Sequence, residues 1–340
     1  MYKRQVLADT HGNLPALEAV LADIDEQAVD GFLVAGDITG GPHAGESIAL
    51  LQSLEGWMIR GNGEEYLLDY RSGRAPASWY GDEQWATLRW SYRCLEPDVL
   101  GFIDRLPDRR IVRLNGAAFS SMPAGAASIQ MVHGTPWTTR EFLYPDGDPA
   151  ALAAFRRAGL LPEDKAIPRL EELLGGIQEP VLVCAHSHIP WVQECESLLV
   201  VNPGSVGAPN NGDPRAQYAV LAWEGGCWQA ELKQVDYDLE RVWAAYRSSG
   251  FLAAGGAMAR AFLLGIVTGE NVPGLFVDSV RRLAAEAGCQ PHDPVPDDVW
   301  QAAIAGFDWA IGQDGSSTTW MDTSEEPGDC QEFLTERWRK

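Results

Sequence analysis

The chain has 340 residues, of which 46% are hydrophobic and 22% charged, a balance that excludes a disordered or fibrous protein. The formal net charge of −22 disfavours binding to long nucleic acid or to an anionic membrane through a basic surface. The first residues form no apolar leader, and no stretch approaches the ~18 to 20 apolar residues of a membrane span. We therefore expect a cytoplasmic protein with no membrane partner.

The first 60 residues predict strands that alternate with helices. Apolar runs at 5–8, 32–35 and 57–60 predict three strands. Between the first two, Asn13 is a good helix cap, Pro15 suits the first turn, and apolar residues follow at helical spacing. Strands that alternate with helices indicate a parallel sheet, whose ligands bind beyond the carboxyl ends of the strands.

Polar motifs stand directly after these strands and after two later ones. The later strands are the apolar runs 128–132 and 181–184. The five motifs contain Asp9 and His11, Asp37, Asn62, His133, and His186 and His188. Imidazole and carboxylate together suit Mn, Fe, Co, Ni or Zn, whereas oxygen ligands alone suit Mg or Ca. In Asp-x-His and His-x-His the alternate side chains can face one cluster. The motifs therefore predict a metal site.

The rest of the chain predicts a cap and a C-terminal extension. Residues 63–110 are rich in aromatic residues at helical spacing and predict a helical cap insertion in a main domain of residues 1–238. The segments 190–201, 216–224 and 227–237 alternate like antiparallel strands. Residues 239–340 are acidic and predict an extension of helices and loops. This extension either folds over the main domain through Trp300, Phe307 and Trp309 or remains solvated.

The motifs, taken in order, resemble those of the calcineurin-like metallophosphoesterases over about residues 4–237. The run Asn202-Pro203-Gly204-Ser205-Val206-Gly207 resembles the small bacterial and archaeal phosphodiesterase branch. Within that branch, 215–218 and 235–238, followed by a helical extension, are similar to asymmetrical diadenosine tetraphosphatases with nucleoside-triphosphatase activity. The resemblance implies an α/β fold, an α/β/β/α sandwich of two mixed sheets flanked by helices.

The same resemblance implies two divalent metal ions and their ligands. One ion would be held by Asp9, His11, Asp37 and His188, and the other by Asp37, Asn62, His133 and His186. Manganese is the first expectation, with iron, cobalt, nickel and zinc as alternatives. The implied reaction is hydrolysis of a phosphoester or phosphoanhydride by a hydroxide that bridges the metals, with Asp37, Asn62 and His133 as catalytic residues.

Two positions depart from the family pattern. Ala185 stands where the family often has glycine, and Gly63 stands where many members have a histidine near the leaving group. A positioned acid contributes roughly 10²–10⁴-fold to rate, so without one an alkoxide leaves slowly. We therefore expect a preference for phosphoanhydrides, such as dinucleoside polyphosphates and nucleoside triphosphates, and for activated aryl diesters.

Substrate contacts and rival functions stay open at this point. Trp137 could stack on a base, Arg140 could clamp a phosphate, and His43 could approach the substrate. The alternatives are that Trp137 packs its loop, that Arg140 is a solvated charge and that His43 is a spectator. A non-catalytic metal-binding scaffold is a second function class, and a metal-dependent nuclease is a third. The expected partner is a small nucleotide or phosphodiester; the sequence indicates no oligomeric state.

Overall fold

The computed structural model describes residues 2–25, 30–114, 122, 126–290 and 294–311. The strands within these ranges are β1 (Tyr2–Leu7), β2 (Phe32–Val34), β3 (Gly56–Met58), β4 (Arg109–Arg113), β5 (Ser128–Val132), β6 (Val181–Val183), β7 (Pro190–Cys195), β8 (Leu198–Pro203), β9 (Ala216–Glu224) and β10 (Cys227–Val235). The α-helices are α1 (Leu14–Asp25), α2 (Ala44–Gln52), α3 (Asn62–Arg71), α4 (Ala86–Cys94), α5 (Pro97–Arg105), α6 (Pro149–Arg157), α7 (Leu170–Leu174), α8 (Leu239–Ser248), α9 (Phe251–Thr268), α10 (Val272–Glu286) and α11 (Asp297–Gly306).

The strands form two mixed sheets. The first has the order β10-β9-β1-β2-β3, in which β1, β2 and β3 are parallel and β9 and β10 are antiparallel to their neighbours. The second has the order β4-β5-β6-β8-β7, in which β5, β6 and β8 are parallel. Helices pack on the outer faces of both sheets. The predicted fold of two mixed sheets flanked by helices is confirmed.

The inner strands are buried on both faces. In β1, Val6 packs in the apolar cluster between the two sheets, together with Met131 of β5 and Val183 of β6. Its neighbour Leu7 packs in a different cluster, which includes Leu17 of α1. Because successive side chains of a strand point to opposite faces, a strand covered on both sides needs a continuous apolar run. This burial explains why the sequence of these strands does not alternate.

The C-terminal helices pack against the helices that precede β4. Helix α9 contacts α4, and the ring of Phe251 lies 4.8 Å from that of Trp90 in α4. Further along, Trp300, Phe307 and Trp309 pack with Phe276 of α10 in an apolar cluster of the extension itself. These three aromatic residues therefore join the C-terminal helices to one another. The acidic segment 312–340 lies outside the described residues.

Helix α9 corrects the expectation that no segment has the apolar length of a membrane span. Its 18 residues have a mean hydropathy of 1.7, so by length and composition the helix is long and apolar enough to cross a membrane. More than half of the helix is buried within the molecule, however, and it packs against α4, α8 and α10. Its apolar residues therefore serve contacts between helices.

We expect Phe251→Ala to destabilise the protein by about 3–5 kcal/mol, because it removes a fully buried ring and leaves a cavity. Phe251 also contacts Tyr246 of α8 at 5.1 Å between ring centroids, so the packing of α4, α8 and α9 loses a shared contact. Chemical denaturation measures the change in the free energy of unfolding. Trp137→Ala is the control, since this side chain is 63% exposed and its loss should change stability little. Equal effects of the two substitutions would contradict the expectation.

Candidate metal centre

The polar motifs predicted from the sequence meet at one end of the two sheets. Asp9 and His11 follow β1, Asp37 follows β2, and Asn62 begins α3 shortly after β3. From the second sheet, His133 follows β5, while the loop after β6 contributes His186 and His188. Since these strands are parallel within each sheet, their carboxyl ends lie side by side. The fold thus brings all seven residues to one place.

Five of these residues have an unusual backbone conformation. Asp9, His11, Asp37, His186 and His188 all have positive φ angles, between 47° and 71°. Non-glycine residues rarely adopt this region, and those that do concentrate at functional sites, where the surrounding structure holds them. Among the described non-glycine residues, only Glu196 shares this property. Five of the seven residues that the sequence motifs identified as candidate ligands thus also have positive φ angles.

The first group of candidate ligands consists of Asp9, His11, Asp37 and His188, whose ligand atoms all lie within 4.8 Å of one another. The Nε2 atoms of His11 and His188 are 3.1 Å apart. Nε2 of His11 is 3.7 Å from Oδ2 of Asp37, and Nε2 of His188 is 3.5 Å from Oδ1 of Asp9. Atoms bound at about 2.0–2.2 Å to one ion lie about 3–3.5 Å apart, so this group fits a single ion.

The second group consists of Asp37, His133 and His186, and it shares Asp37 with the first. Nε2 of His133 is 3.5 Å from Oδ1 of Asp37 and 3.0 Å from Oδ1 of Asn62. The amide oxygen of Asn62 therefore adds a fourth donor beside the three. A single carboxylate between two groups can bridge a pair of ions ~3.5–4 Å apart, the separation found in two-metal hydrolytic sites.

Backbone carbonyls fix the orientation of the imidazoles. Nδ1 of His133 lies 2.7 Å from the carbonyl oxygen of Ala35, and Nδ1 of His188 lies 2.6 Å from that of Ala208. If Nδ1 carries the proton and donates it to the carbonyl, Nε2 presents its lone pair to the centre of the site. His11 has the same arrangement, with Thr39 as the partner of its Nδ1.

The chemistry of these donors fits a cation. The Nε2 atoms of His11 and His188 lie against each other at 3.1 Å, and Oδ1 of Asp9 is buried with no hydrogen-bond partner. Burial, and then the charge of Asp37, raises the pKa of Asp9 well above its ordinary value. Burial also lowers the pKa of His186 to about 3 and that of His188 well below its ordinary value, with a neighbouring histidine adding to each shift. Both imidazoles are thus neutral at pH 7, the form that binds metals.

Glu64 ties together two of the loops that carry candidate ligands. Its side chain is fully buried and accepts hydrogen bonds of 2.8–3.0 Å from the backbone N–H groups of Asp37, Ile38, Thr39 and Gly61 and from the Thr39 hydroxyl. A carboxylate that accepts five such bonds holds its donors firmly. Sequence reasoning missed this role, because a glutamate in the first turn of a helix is most often solvated.

Glycine is required at two positions where the loop after β2 approaches the loop after β3. A Cβ at Gly61 would lie 2.1 Å from Oδ1 of Asp37, and one at Gly36 would lie 2.5 Å from the backbone nitrogen of Gly61. At Gly63, the position that lacks the histidine, the backbone N–H donates to Oδ1 of Asp37 at 2.7 Å. The backbone of Gly63 thus contacts the shared carboxylate.

The three residues predicted to contact substrate lie in different settings. Arg140 has its guanidinium over the ring of Tyr66 at 4.9 Å and within 3.4–3.6 Å of carboxylate oxygens of Glu65 and Asp69 on α3. Trp137 lies in an exposed turn. His43 is buried at the start of α2, where its Nδ1 is 3.1 Å from Glu46. Arg140 is thus paired with acids while its side chain is 46% exposed.

Comparison with known proteins agrees with this fold and site. The profile of the calcineurin-like phosphoesterase superfamily domain matches residues 3–226. The α/β/β/α sandwich with an Asp–His cluster at the ends of its strands defines a metallophosphoesterase domain. The chain belongs to the calcineurin-like phosphoesterase superfamily.

Individual relatives are distant. An uncharacterised protein of Methanocaldococcus jannaschii is 24% identical over 254 residues, which cover 70% of this chain and 89% of the relative. A metallophosphoesterase of Sphaerobacter thermophilus has a similar structure, with a TM-score of 0.52 and 25% identity over 75% of this chain and 99% of its own. A hypothetical protein of Pyrococcus horikoshii superposes with a TM-score of 0.59 and 20% identity over 79% of this chain and 99% of its own. The last similarity concerns the fold alone.

Proposed function

We propose that this protein is a metal-dependent phosphohydrolase that uses two divalent ions to hydrolyse small phosphoanhydrides or phosphodiesters. The observation that supports the proposal most is the pair of ligand groups that share Asp37. One ion would be held by Asp9, His11, Asp37 and His188, and the second by Asp37, Asn62, His133 and His186. Manganese is the first ion to test, with iron, cobalt, nickel and zinc as alternatives, because a mixture of imidazole and carboxylate suits this group of ions.

Different residues of the chain would hold the ions and contact the substrate. Bound divalent ions lower the pKa of water and polarise phosphoryl oxygens. The Asp37 carboxylate would contribute to holding both ions, and the carbonyl partners of His133 and His188 orient those imidazoles so that their Nε2 atoms would be available as ligands. The Asn62 side chain, at the N-terminus of α3, can also donate through its amide nitrogen to a phosphoryl oxygen.

The charge of the protein supports a small substrate. A net charge of −22 repels a long polyanion, whereas the ions at the centre reverse the sign locally. Dinucleoside polyphosphates, nucleoside triphosphates and activated diesters are therefore the proposed substrates, and a cytoplasmic location is part of the proposal. Arg140 acts on a substrate phosphate only if that phosphate displaces Glu65 or Asp69, so we assign it a secondary role.

Metal removal followed by single additions of Mn, Co, Ni, Fe, Zn or Mg tests the proposal. We expect no turnover of ATP, diadenosine tetraphosphate or bis-p-nitrophenyl phosphate without metal, and recovery with at least one ion. Single-stranded DNA in the same assay tests the nuclease alternative. Metal binding without turnover of any of these compounds would instead support the scaffold.

The lack of a side chain at Gly63 predicts a steep dependence of rate on the leaving group. Without a proton donor at that position, we expect aryl esters with acidic phenols to react much faster than alkyl esters, by more than the roughly 10²–10⁴-fold that a positioned acid contributes. Rates for a series of methyl aryl phosphates, at saturating metal, measure this slope. A flat series would show that another group supplies the proton.

A further inference from the structure

The loop after β5 folds back on itself beside the candidate metal centre. It begins with His133, and its residues 138–142, here called the 138–142 segment, return to lie against Gly134. A Cβ at Gly134 would lie 2.5 Å from the carbonyl oxygen of Glu141 and 2.7 Å from that of Thr138. This close approach requires glycine. The 138–142 segment is thus packed against the backbone next to one candidate ligand.

Two residues of this segment restrain the imidazole of His186. The ring of Phe142 stacks on that imidazole, with ring centroids 4.6 Å apart and planes inclined by 20°. Phe142 also packs against the apolar cluster on the outer face of the second sheet, which includes Phe155. Burial lowers the pKa of His186, whereas a backbone hydrogen bond with Arg140 raises it. A stacked ring and a backbone partner therefore both act on the orientation of this imidazole.

The same segment is joined to α3, the helix that begins at Asn62. The Thr139 hydroxyl donates to Oε2 of Glu65 at 2.8 Å. The Arg140 guanidinium lies within 3.4–3.6 Å of carboxylate oxygens of Glu65 and Asp69. Because its backbone hydrogen bonds make a helix move largely as a unit, these contacts fix the first turn of α3 relative to the 138–142 segment.

These contacts reach the ligands of only one of the two proposed ions. Of the four ligands proposed for the second ion, three are connected to the 138–142 segment: His133 through the backbone next to it, Asn62 through α3, and His186 directly. Within the described part of the chain, no hydrogen bond, ion pair or ring contact joins the segment to the ligands that belong to the first ion alone, Asp9, His11 and His188. The two ligand groups are therefore supported by different parts of the chain.

We propose that the 138–142 segment sets the affinity for the second ion alone, with Arg140 and Phe142 as its positioning residues. The inference rests on the proposed two-ion function. An imidazole that is already oriented loses little freedom when it binds an ion, so more of the coordination energy contributes to affinity. Without the stacked ring, the orientation of His186 is fixed only when the ion binds. The second ion then binds more weakly, while the first is unaffected.

Titration of the metal-free full chain with Mn²⁺ tests this inference, with free Mn²⁺ measured by electron paramagnetic resonance. Asn62→Ala removes a ligand of the second ion and so shows which step of the titration belongs to it. Phe142→Leu keeps apolar bulk but removes the flat ring, and it should weaken the same step by about tenfold and leave the other unchanged. Arg140→Gln should weaken the same step by a smaller factor, because its backbone partner of His186 is retained.

Three further variants separate positioning from general damage to the structure. Phe142→Tyr keeps the flat ring and should bind both ions as the unaltered chain does. Phe102→Leu makes the same change at another half-buried ring, on α5, and Arg169→Gln removes a guanidinium that also pairs with two acids. Neither control should change either affinity. Since the side chain of Arg140 is 46% exposed, Arg140→Gln tests the segment even if Phe142→Leu does not fold.

Several results would overturn the assignment. Equal weakening of both ions by Phe142→Leu, or of neither, would remove the selective role of the segment, and Phe142→Tyr binding no better than Phe142→Leu would remove the role of the stack. An unaltered chain that binds a single ion would contradict this inference and the two-ion function together. Selective weakening without turnover of any substrate would contradict the proposed function alone, whereas turnover with equal weakening would contradict the segment alone.

Discussion

Asp37→Asn is expected to lower metal-dependent turnover by more than about 10³-fold, because it removes the one carboxylate shared by both ligand groups. The loss of a single transition-state contact already costs roughly 10²–10³-fold, and here the placement of two ions is affected. Metal analysis should show fewer than two ions per chain. The steady-state rate at saturating metal and the bound metal content measure the two effects together.

The metal-free protein should tolerate this substitution. Burial raises the pKa of Asp37, but neighbouring histidines, His133 first, hold that pKa below its ordinary value, whereas the charge of Asp37 adds to the raised pKa of Asp9. The substitution therefore removes one favourable and one unfavourable interaction of the carboxylate. Since these effects oppose each other and the amide oxygen of an asparagine can still accept the hydrogen bond from Gly63, the free energy of unfolding should change little. Asp278→Asn, which alters an exposed carboxylate paired with Arg281, is the matched control for activity. Two bound ions and unchanged turnover in Asp37→Asn would refute the shared role.

Glu64→Gln should have the second large effect, a loss of about 2–6 kcal/mol in the free energy of unfolding. A glutamine places an NH₂ group where one carboxylate oxygen now accepts at least two N–H donors, so at least two buried donors lose their partner at about 1–3 kcal/mol each. The loops that carry Asp37 and Asn62 then lose hydrogen bonds that connect them through the side chain at position 64. Metal affinity should therefore fall by roughly 10–100-fold. Chemical denaturation and metal titration measure the two quantities.

The neighbouring residue provides the control. Glu65→Gln makes the same chemical change one position along α3, where the partners are the partly exposed side chains of Arg60 and Arg140 and the hydroxyl of the buried Thr139. We expect it to cost less than about 1 kcal/mol. If Glu64→Gln does not fold, Glu64→Asp retains the charge but shortens the reach, and should still weaken metal binding more than Glu65→Gln. Equal effects at the two positions would show that Glu64 has no special role.

The candidate ligands could be predicted from the sequence because each follows an apolar strand. A parallel sheet brings such positions together whatever the rest of the chain does, so Asp9, Asp37 and His133 required only the strand pattern. The strand pairings of the second sheet could not be predicted in this way. Strand β8 pairs with β6 in parallel and with β7 in antiparallel fashion, and nothing in its residues separates these pairings. The sandwich therefore came from the resemblance of the motifs to a family.

The position of the C-terminal helices beside the metal centre and the role of Glu64 could not be predicted from the sequence. Apolar spacing in α9 predicts a helix with a buried face, but it does not say that this face packs on α4 or that Phe262 borders the metal centre. Likewise, Glu64 is buried because two loops that are distant in sequence both contact its carboxylate. Both features are set by tertiary contacts, on which local patterns carry no information.

Five of the candidate ligands have a left-handed backbone conformation. This conformation has a free-energy cost, and the cost is borne either when the chain folds or when an ion binds. Conformations of this kind cost about 1–3 kcal/mol each, and the folded chain already bears that cost before an ion arrives. Ion capture then requires little ordering of the loops, so more of the coordination energy appears as affinity. Part of the folding free energy is thus spent on a ligand arrangement that an ion would find already formed.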